Sequence, residues 1–222
     1  MVPGPSTSAV VDEPAGMSAA PNDAVDAVDA AQAADAAERQ GRLLLALARQ
    51  AIAAALGVAA PAGAELDAAA REPWLRQPGA CFVTLTNANR LRGCIGSVRP
   101  RRPLIEDLRS NARAAALADP RFPPLSAAEL PQARVEVSLL SPLAPLAAAS
   151  EAEALAALRP GIDGLVLDYA GDAQATFLPQ VWDSLRTPRE FLSQLKLKAG
   201  LPAELWSPAI RLQRYTVVKW QE

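Results

Sequence analysis

Histidine is missing from all 222 residues, cysteine occurs twice, and aromatic residues make up only 5% of the chain. The first absence removes the commonest general base and the commonest metal ligand, which excludes serine triads, Cys-His dyads and His-based zinc sites. Cys81 and Cys94 are too few for a disulfide framework and too far apart for the Cys-x-x-Cys spacing of a zinc or iron–sulfur site. The expectation is therefore no metal site in this chain. A dominant charge is lacking too, since 22 Lys and Arg against 24 Asp and Glu leave −2. Bulk electrostatics selects neither nucleic acid nor an anionic membrane as partner. No run approaches ~18 apolar residues, and the opening "MVPGPSTSAVVDEPAG" has neither a basic n-region nor an apolar h-region. The expectation is a cytoplasmic protein with reduced thiols and no membrane partner.

What is present divides the chain in two. Residues 1–34 hold small residues, prolines and aspartates, with no leucine or aromatic ring. Such a composition buries too little apolar surface to offset chain entropy, so a disordered Ala/Pro/Asp-rich leader is expected there. A domain over 35–222 comes after it. Leu43, Leu44, Leu47, Ile52 and Leu56 recur at helical spacing from about Asp35, with Gly57 as the stop. Farther on, Pro103 starts a helix with Glu106 and Asp107 in its first turn, where both read as partners of the helix dipole. Ser126 to Glu129 and Thr187 to Glu190 spell capping boxes. "RVEVSLL" alternates strictly, and "GLVLDY" with "AQATFL" reads as a strand pair turning at Ala170–Asp172. "AIRLQRYTVVKW" reads as one closing strand. Hairpins interspersed with helices predict an α+β fold with a mainly antiparallel sheet.

The segment "ACFVTLTNANRLRGCIGSV" reads as a β-hairpin. A three-residue loop at Asn87–Asn89 sets position 83 opposite 93 and 81 opposite 95. Cys81, Val83, Leu85, Leu91, Gly93 and Ile95 then share an apolar face, and Phe82, Thr84, Arg90, Arg92 and Cys94 share the other. In this register Cys81 points into the core and cannot pair with Cys94. Arg92 stands beside the Cys94 thiol and favours its thiolate. Gly93 and Gly96 leave backbone amides open, on which a carboxylate or phosphate can sit with Arg90 and Arg92 near it. The opposing reading is that Cys94 is packed and that the glycines admit a helix above the strand. Arg90, Arg92, Arg99, Arg101 and Arg102 form a basic cluster, but no aromatic rings interleave with it, which speaks against single-stranded nucleic acid. Asp119 and Arg121 flank a proline and read either as a structural ion pair or as part of a ligand site.

"LRGCIGS", "PRRPL", "DPRFPPLS", "VEVSLLSP", "GIDGLVL", "ATFLPQVW" and "LKLKAGL" occur in the order found in the AMMECR family, which the chain resembles over residues 38 to 222. Bacterial and archaeal members of that family are labelled AmmeMemoRadiSam system protein A. The resemblance implies two α+β lobes, the smaller inserted in the larger. It implies no established activity and no cofactor, but an association with Memo-like proteins and radical SAM enzymes. Leu91 to Gly96 match the family signature, with Cys94 the residue suspected of function, and Asp119, Arg121, Phe122, Gln180 and Trp182 match further segments. Gln194 stands where the family pattern often has histidine. Two functions arise as expectations. In one, an enzyme or enzyme accessory uses a cleft around Cys94 to bind or modify a small anionic or peptide ligand. In the other, a non-catalytic interaction module carries Cys94 as packing.

Overall fold

The computed structural model describes residues 23–59 and 64–222. Helix α1 spans Asp23–Ala55 and so begins well before Asp35. Within the expected leader, residues 23–34 are thus helical, in line with the high helix propensity of alanine. Met1–Asn22, the rest of that leader, lies outside the described residues. The chain divides after Ala37, and the second unit, Glu38–Glu222, holds every strand and every helix from the body of α1 onward.

Two antiparallel four-stranded sheets form the frame of that unit. The first has the order β2-β1-β3-β8, from Arg90–Gly96, Cys81–Asn87, Ala133–Leu140 and Val217–Gln221. The second has the order β4-β7-β5-β6, from Ala144–Pro145, Ile210–Tyr215, Gly164–Tyr169 and Ala173–Phe177. All of the second sheet falls between β3 and β8 in sequence, so the smaller lobe is an insertion in the larger. The fold is α+β.

Each sheet buries one face under helices. Val83, Leu85, Val135 and Val137 alternate inward onto Leu44, Leu47 and Ile52 of α1 and onto Leu108 and Ala112 of α3 (Leu104–Leu117). Burying each large aliphatic side chain contributes about 1.5–3 kcal/mol. In the second lobe Leu165, Leu167 and Leu212 pack on Phe191, Leu192 and Leu195 of α5 (Pro188–Lys198), and on Ala154 of α4 (Glu151–Ala157). The Thr187–Glu190 capping box forms as read, with Pro188 in the first turn. A third, smaller core of Ala80, Leu140, Val166 and Tyr215 joins the sheets.

Two expectations need correction. The closing segment is not one strand: β7 ends at Tyr215 and β8 begins at Val217, each in a different sheet. Thr216 makes the crossing, donating its amide to Ser141 Oγ and accepting from the Ser141 amide, both at 2.9 Å. The hairpin turn has two residues rather than three. Ala88 and Asn89 both take positive φ, 47° and 60°, which makes a turn whose twist matches the flanking strands. Val83 therefore faces Ile95, and Leu85 faces Gly93. Beyond Leu85 the register shifts, and Thr86 faces Leu91, so Arg92 is the extra residue of a β-bulge. The bulge turns Leu91, expected on the apolar face, out to 44% exposure. Alanine gives no hint of the left-handed conformation it adopts, which is why the shorter turn escapes the sequence pattern.

Candidate functional site

β2 is the edge of the first sheet, and its outer side is covered by the segment after α3. The Asp119 carboxylate, buried just past the helix end, accepts the Cys94 amide proton at 2.8 Å. It also accepts from the Arg121 amide at 3.1 Å and from Arg121 Nε and Nη2 at 2.9 and 2.7 Å. Arg121 returns along the strand and donates to the Cys94 carbonyl at 3.2 Å. The pair thus imitates a neighbouring strand, giving one acceptor and one donor to the same edge residue. Hydrogen bonds from Arg121 hold the Asp119 carboxyl well below the usual range, and the Cys94 and Arg121 amides push it the same way.

The Cys94 side chain is half-buried on the Thr84 face, as the sequence places it, and Thr84 Oγ1 donates to its sulfur at 3.3 Å. The neighbour expected of it is a different arginine. Arg92, at the bulge, donates to Glu129 Oε1 at 3.0 Å and to the Pro123 and Pro124 carbonyls at 2.8 and 3.3 Å. It is therefore not the thiolate stabiliser. Arg121 lies closer in role: its proton is held above the ordinary guanidinium value by Asp119 first and by Cys94 to a smaller degree.

Gly93 and Gly96 each have a packing role. A Cβ on Gly93 would lie 2.0 Å from the Ala115 carbonyl oxygen, so the glycine lets α3 approach the strand backbone. A Cβ on Gly96 would lie 2.2 Å from the Phe82 ring, which covers it. Both glycines are thus accounted for by close packing at their Cα atoms. Arg90 is exposed at the hairpin end, away from this cover.

Asp107, expected to be a dipole partner alone, is a buried hub. Its Oδ2 accepts from the Cys81 amide at 3.0 Å, Ser97 Oγ at 2.5 Å and Asn111 Nδ2 at 2.9 Å. Oδ1 accepts from Arg102 Nε at 3.0 Å. Burial and then the Asp107 charge push the Cys81 thiol far up, which leaves it inert. Asp107 sits one turn before Asn111, a spacing that marks a shared helix face but does not tell which face is buried.

Beyond Ser97 the chain runs between the lobes. Arg99 reaches the second sheet, with Nη1 3.3 Å from Gln213 Oε1 and Nη2 3.8 Å from Asp168 Oδ2. A cleft of about 330 Å³ opens beside it. Ser97, Val98, Arg99 and Arg101 form one wall, and Val166 with Gln174 to Thr176 form the other. Cys94 does not line it, although Ser97 is only three residues, about 10 Å of strand, farther on. Gln180 and Trp182 stand elsewhere, in the second lobe: Trp182 stacks on Phe191 with ring centres 3.9 Å apart and donates to the Asp163 carbonyl. Among the described residues no three His, Cys, Asp or Glu side chains converge as a metal site, and no helix is long and apolar enough to cross a membrane.

Comparison with known proteins agrees with this architecture. A protein of Methanothermobacter thermautotrophicus is 42% identical over 146 residues, covering 63% of this chain and 73% of its own length. A protein of Thermofilum pendens is 38% identical over 182 residues, covering 75% of this chain and 82% of its own. Among solved structures, the uncharacterized protein PH0010 from Pyrococcus horikoshii superposes with a TM-score of 0.69 at 32% identity, covering 82% of this chain and 91% of that one. The AMMECR1 family pattern matches residues 45–220, taking in both sheets and the edge cover at Cys94, and the chain belongs to the AMMECR1 family.

Proposed function

We propose that this protein is a ligand-binding accessory to enzymes, taking a small anionic or peptide ligand in the cleft between its lobes. The observation that carries the reading is the composition of that cleft: apolar Val98 and Val166 beside the guanidinium groups of Arg99 and Arg101. An apolar floor with a few placed charges is what a site for a small or peptide anion needs. The enzymes it serves are of the Memo-like and radical SAM kinds, a partnership that rests on the family resemblance. Binding is tested by titrating the full chain, its Arg101→Ala variant and its Cys94→Ser variant with small dicarboxylates and acidic peptides. The expected result is about tenfold weaker binding for Arg101→Ala, the loss of one charge-assisted contact, and no change for Cys94→Ser. Binding lost only in Cys94→Ser would reverse the assignment.

A second reading has its own support, the half-buried Cys94 sulfur that accepts from the Thr84 hydroxyl while Arg121 bonds the carbonyl of the same residue. There the thiol is a nucleophile. Rapid reaction of native protein with a thiol reagent, lost in Arg121→Ala, would favour it.

A further inference from the structure

We infer that the ligand of the interlobe cleft is an extended acidic peptide segment, bound by adding a strand to the free edge of β6. The inference rests on the binding reading above and narrows its ligand class.

β6 closes the second sheet and pairs with β5 alone. Alternate residues of an edge strand direct their N–H and C=O groups away from the sheet. Lys198 Nζ donates to the Thr176 carbonyl at 2.9 Å, which marks Thr176 as one of them and Gln174 as the other by the period of two. Among the described residues, the Thr176 amide and both backbone groups of Gln174 have no backbone partner. That edge borders the cleft. Ala175 packs its side chain toward the α5 core, yet it lines the cleft together with Gln174 and Thr176. Ala175 therefore meets the cleft through its backbone.

The two sheets treat their edges differently. At β2 the pair Asp119 and Arg121 takes both backbone groups of Cys94. At β6 only Lys198 reaches the edge, at its end, and an uncovered edge accepts an added strand. Charge selects what is added. Arg101 lies across the cleft from β6 and has no ion-pair partner among the described residues, Lys198 stands at the end of the strand, and Arg99 is already paired with Asp168. Arg101 and Lys198, two cations without a carboxylate partner among the described residues, match a peptide that alternates apolar and acidic side chains, because such a strand directs one kind to each side.

The experiment titrates the full chain with an end-blocked peptide of alternating valine and glutamate, and with its valine–lysine counterpart. Two further forms of the acidic peptide carry N-methyl groups on one or the other alternate set of amides, and free glutarate serves as the small anion. The acidic peptide is expected to bind at least tenfold more tightly than the lysine peptide and than one of the two methylated forms. Gln174→Pro, which removes an outward amide without touching the β5 ladder, is expected to weaken the acidic peptide similarly and leave glutarate unchanged. The methylated peptides act on unaltered protein, so the test stands even where that variant unfolds. Equal binding of both methylated forms, or of glutarate alone, would overturn strand addition and leave the cleft an anion site. Absence of binding by every probe would overturn the cleft reading and this inference together.

Discussion

The Asp119 carboxylate receives the amide proton of Cys94 at 2.8 Å while Arg121, two residues after Asp119, gives a proton back to the Cys94 carbonyl. The "DPRF" and "RGC" segments are thus two halves of one latch over a sheet edge. Removing the acceptor leaves a strand amide and a guanidinium unpaired. Asp119→Ala is expected to lower the urea midpoint at pH 7 by more than Arg121→Ala does, because Asp119 is buried and serves four donors. Equal or smaller loss in equilibrium unfolding would contradict the latch.

The second half of the cover is acid-sensitive. Hydrogen bonds from Arg92 first, and from Ser126, hold Glu129 at about 2 against an ordinary 4.5. A carboxylate lowered on folding stabilises the protein fully above its unfolded value, and that stability is lost as pH falls through the folded one. The stability difference between the native chain and Glu129→Gln is expected to be constant above about pH 5 and to vanish as pH approaches 2. Unfolding curves across that range check it, and a difference that grows with acid would refute it.

The two thiols differ in kind. Cys81 is sealed in the core beside a carboxylate, whereas Cys94 is half-buried. Native protein is expected to yield one reactive thiol to a colorimetric reagent at pH 8, none in Cys94→Ser, and two for the native sequence in denaturant. Reaction of Cys81 in the native state would mean that its surroundings open.

Asp107 ties α3 to the strand and loop below it. Asp107→Ala leaves the Cys81 amide, Ser97, Asn111 and Arg102 short of an acceptor in a buried place, and is expected to destabilise by about 2–4 kcal/mol. Because Ser97 also lines the cleft, ligand binding is expected to weaken in the same variant. Denaturation and titration together test this.

Gly93 and Gly96 should respond unequally to a methyl group. At Gly93 the obstacle is the Ala115 backbone oxygen, which cannot move without the helix, and Gly93→Ala is expected to cost about 1–3 kcal/mol. At Gly96 it is the side chain of Phe82, Cγ included, which must swing about its Cα–Cβ bond but leaves the backbone in place. A smaller shift in thermal midpoint for Gly96→Ala is the expected outcome.

Much of the frame is legible in residue order. The alternation of Val135 and Val137, the Thr187–Glu190 capping box and the inward Cys81 are local patterns, set by a period of two or by a side chain bonding its own backbone. The Thr84 face of Cys94 is also legible, because the bulge at Arg92 adds back the residue that the shorter turn removes and so restores the parity of a three-residue loop. The partners of these residues are not. Nothing near Arg92 announces Glu129, thirty-seven residues away, and nothing near Asp107 announces the Cys81 amide.

The sequence by itself determined most of the elements, most of their inward faces, the family and the absence of imidazole chemistry, since each depends on composition or on neighbours along the chain. Only the tertiary structure decided which arginine reaches the backbone of Cys94, that two glycines admit a helix and a ring, and that one sheet edge is latched while β6 pairs on one side among the described residues. Those outcomes depend on which distant groups meet, and hydrogen bonds are satisfied by proximity in space, on which spacing along the chain is silent.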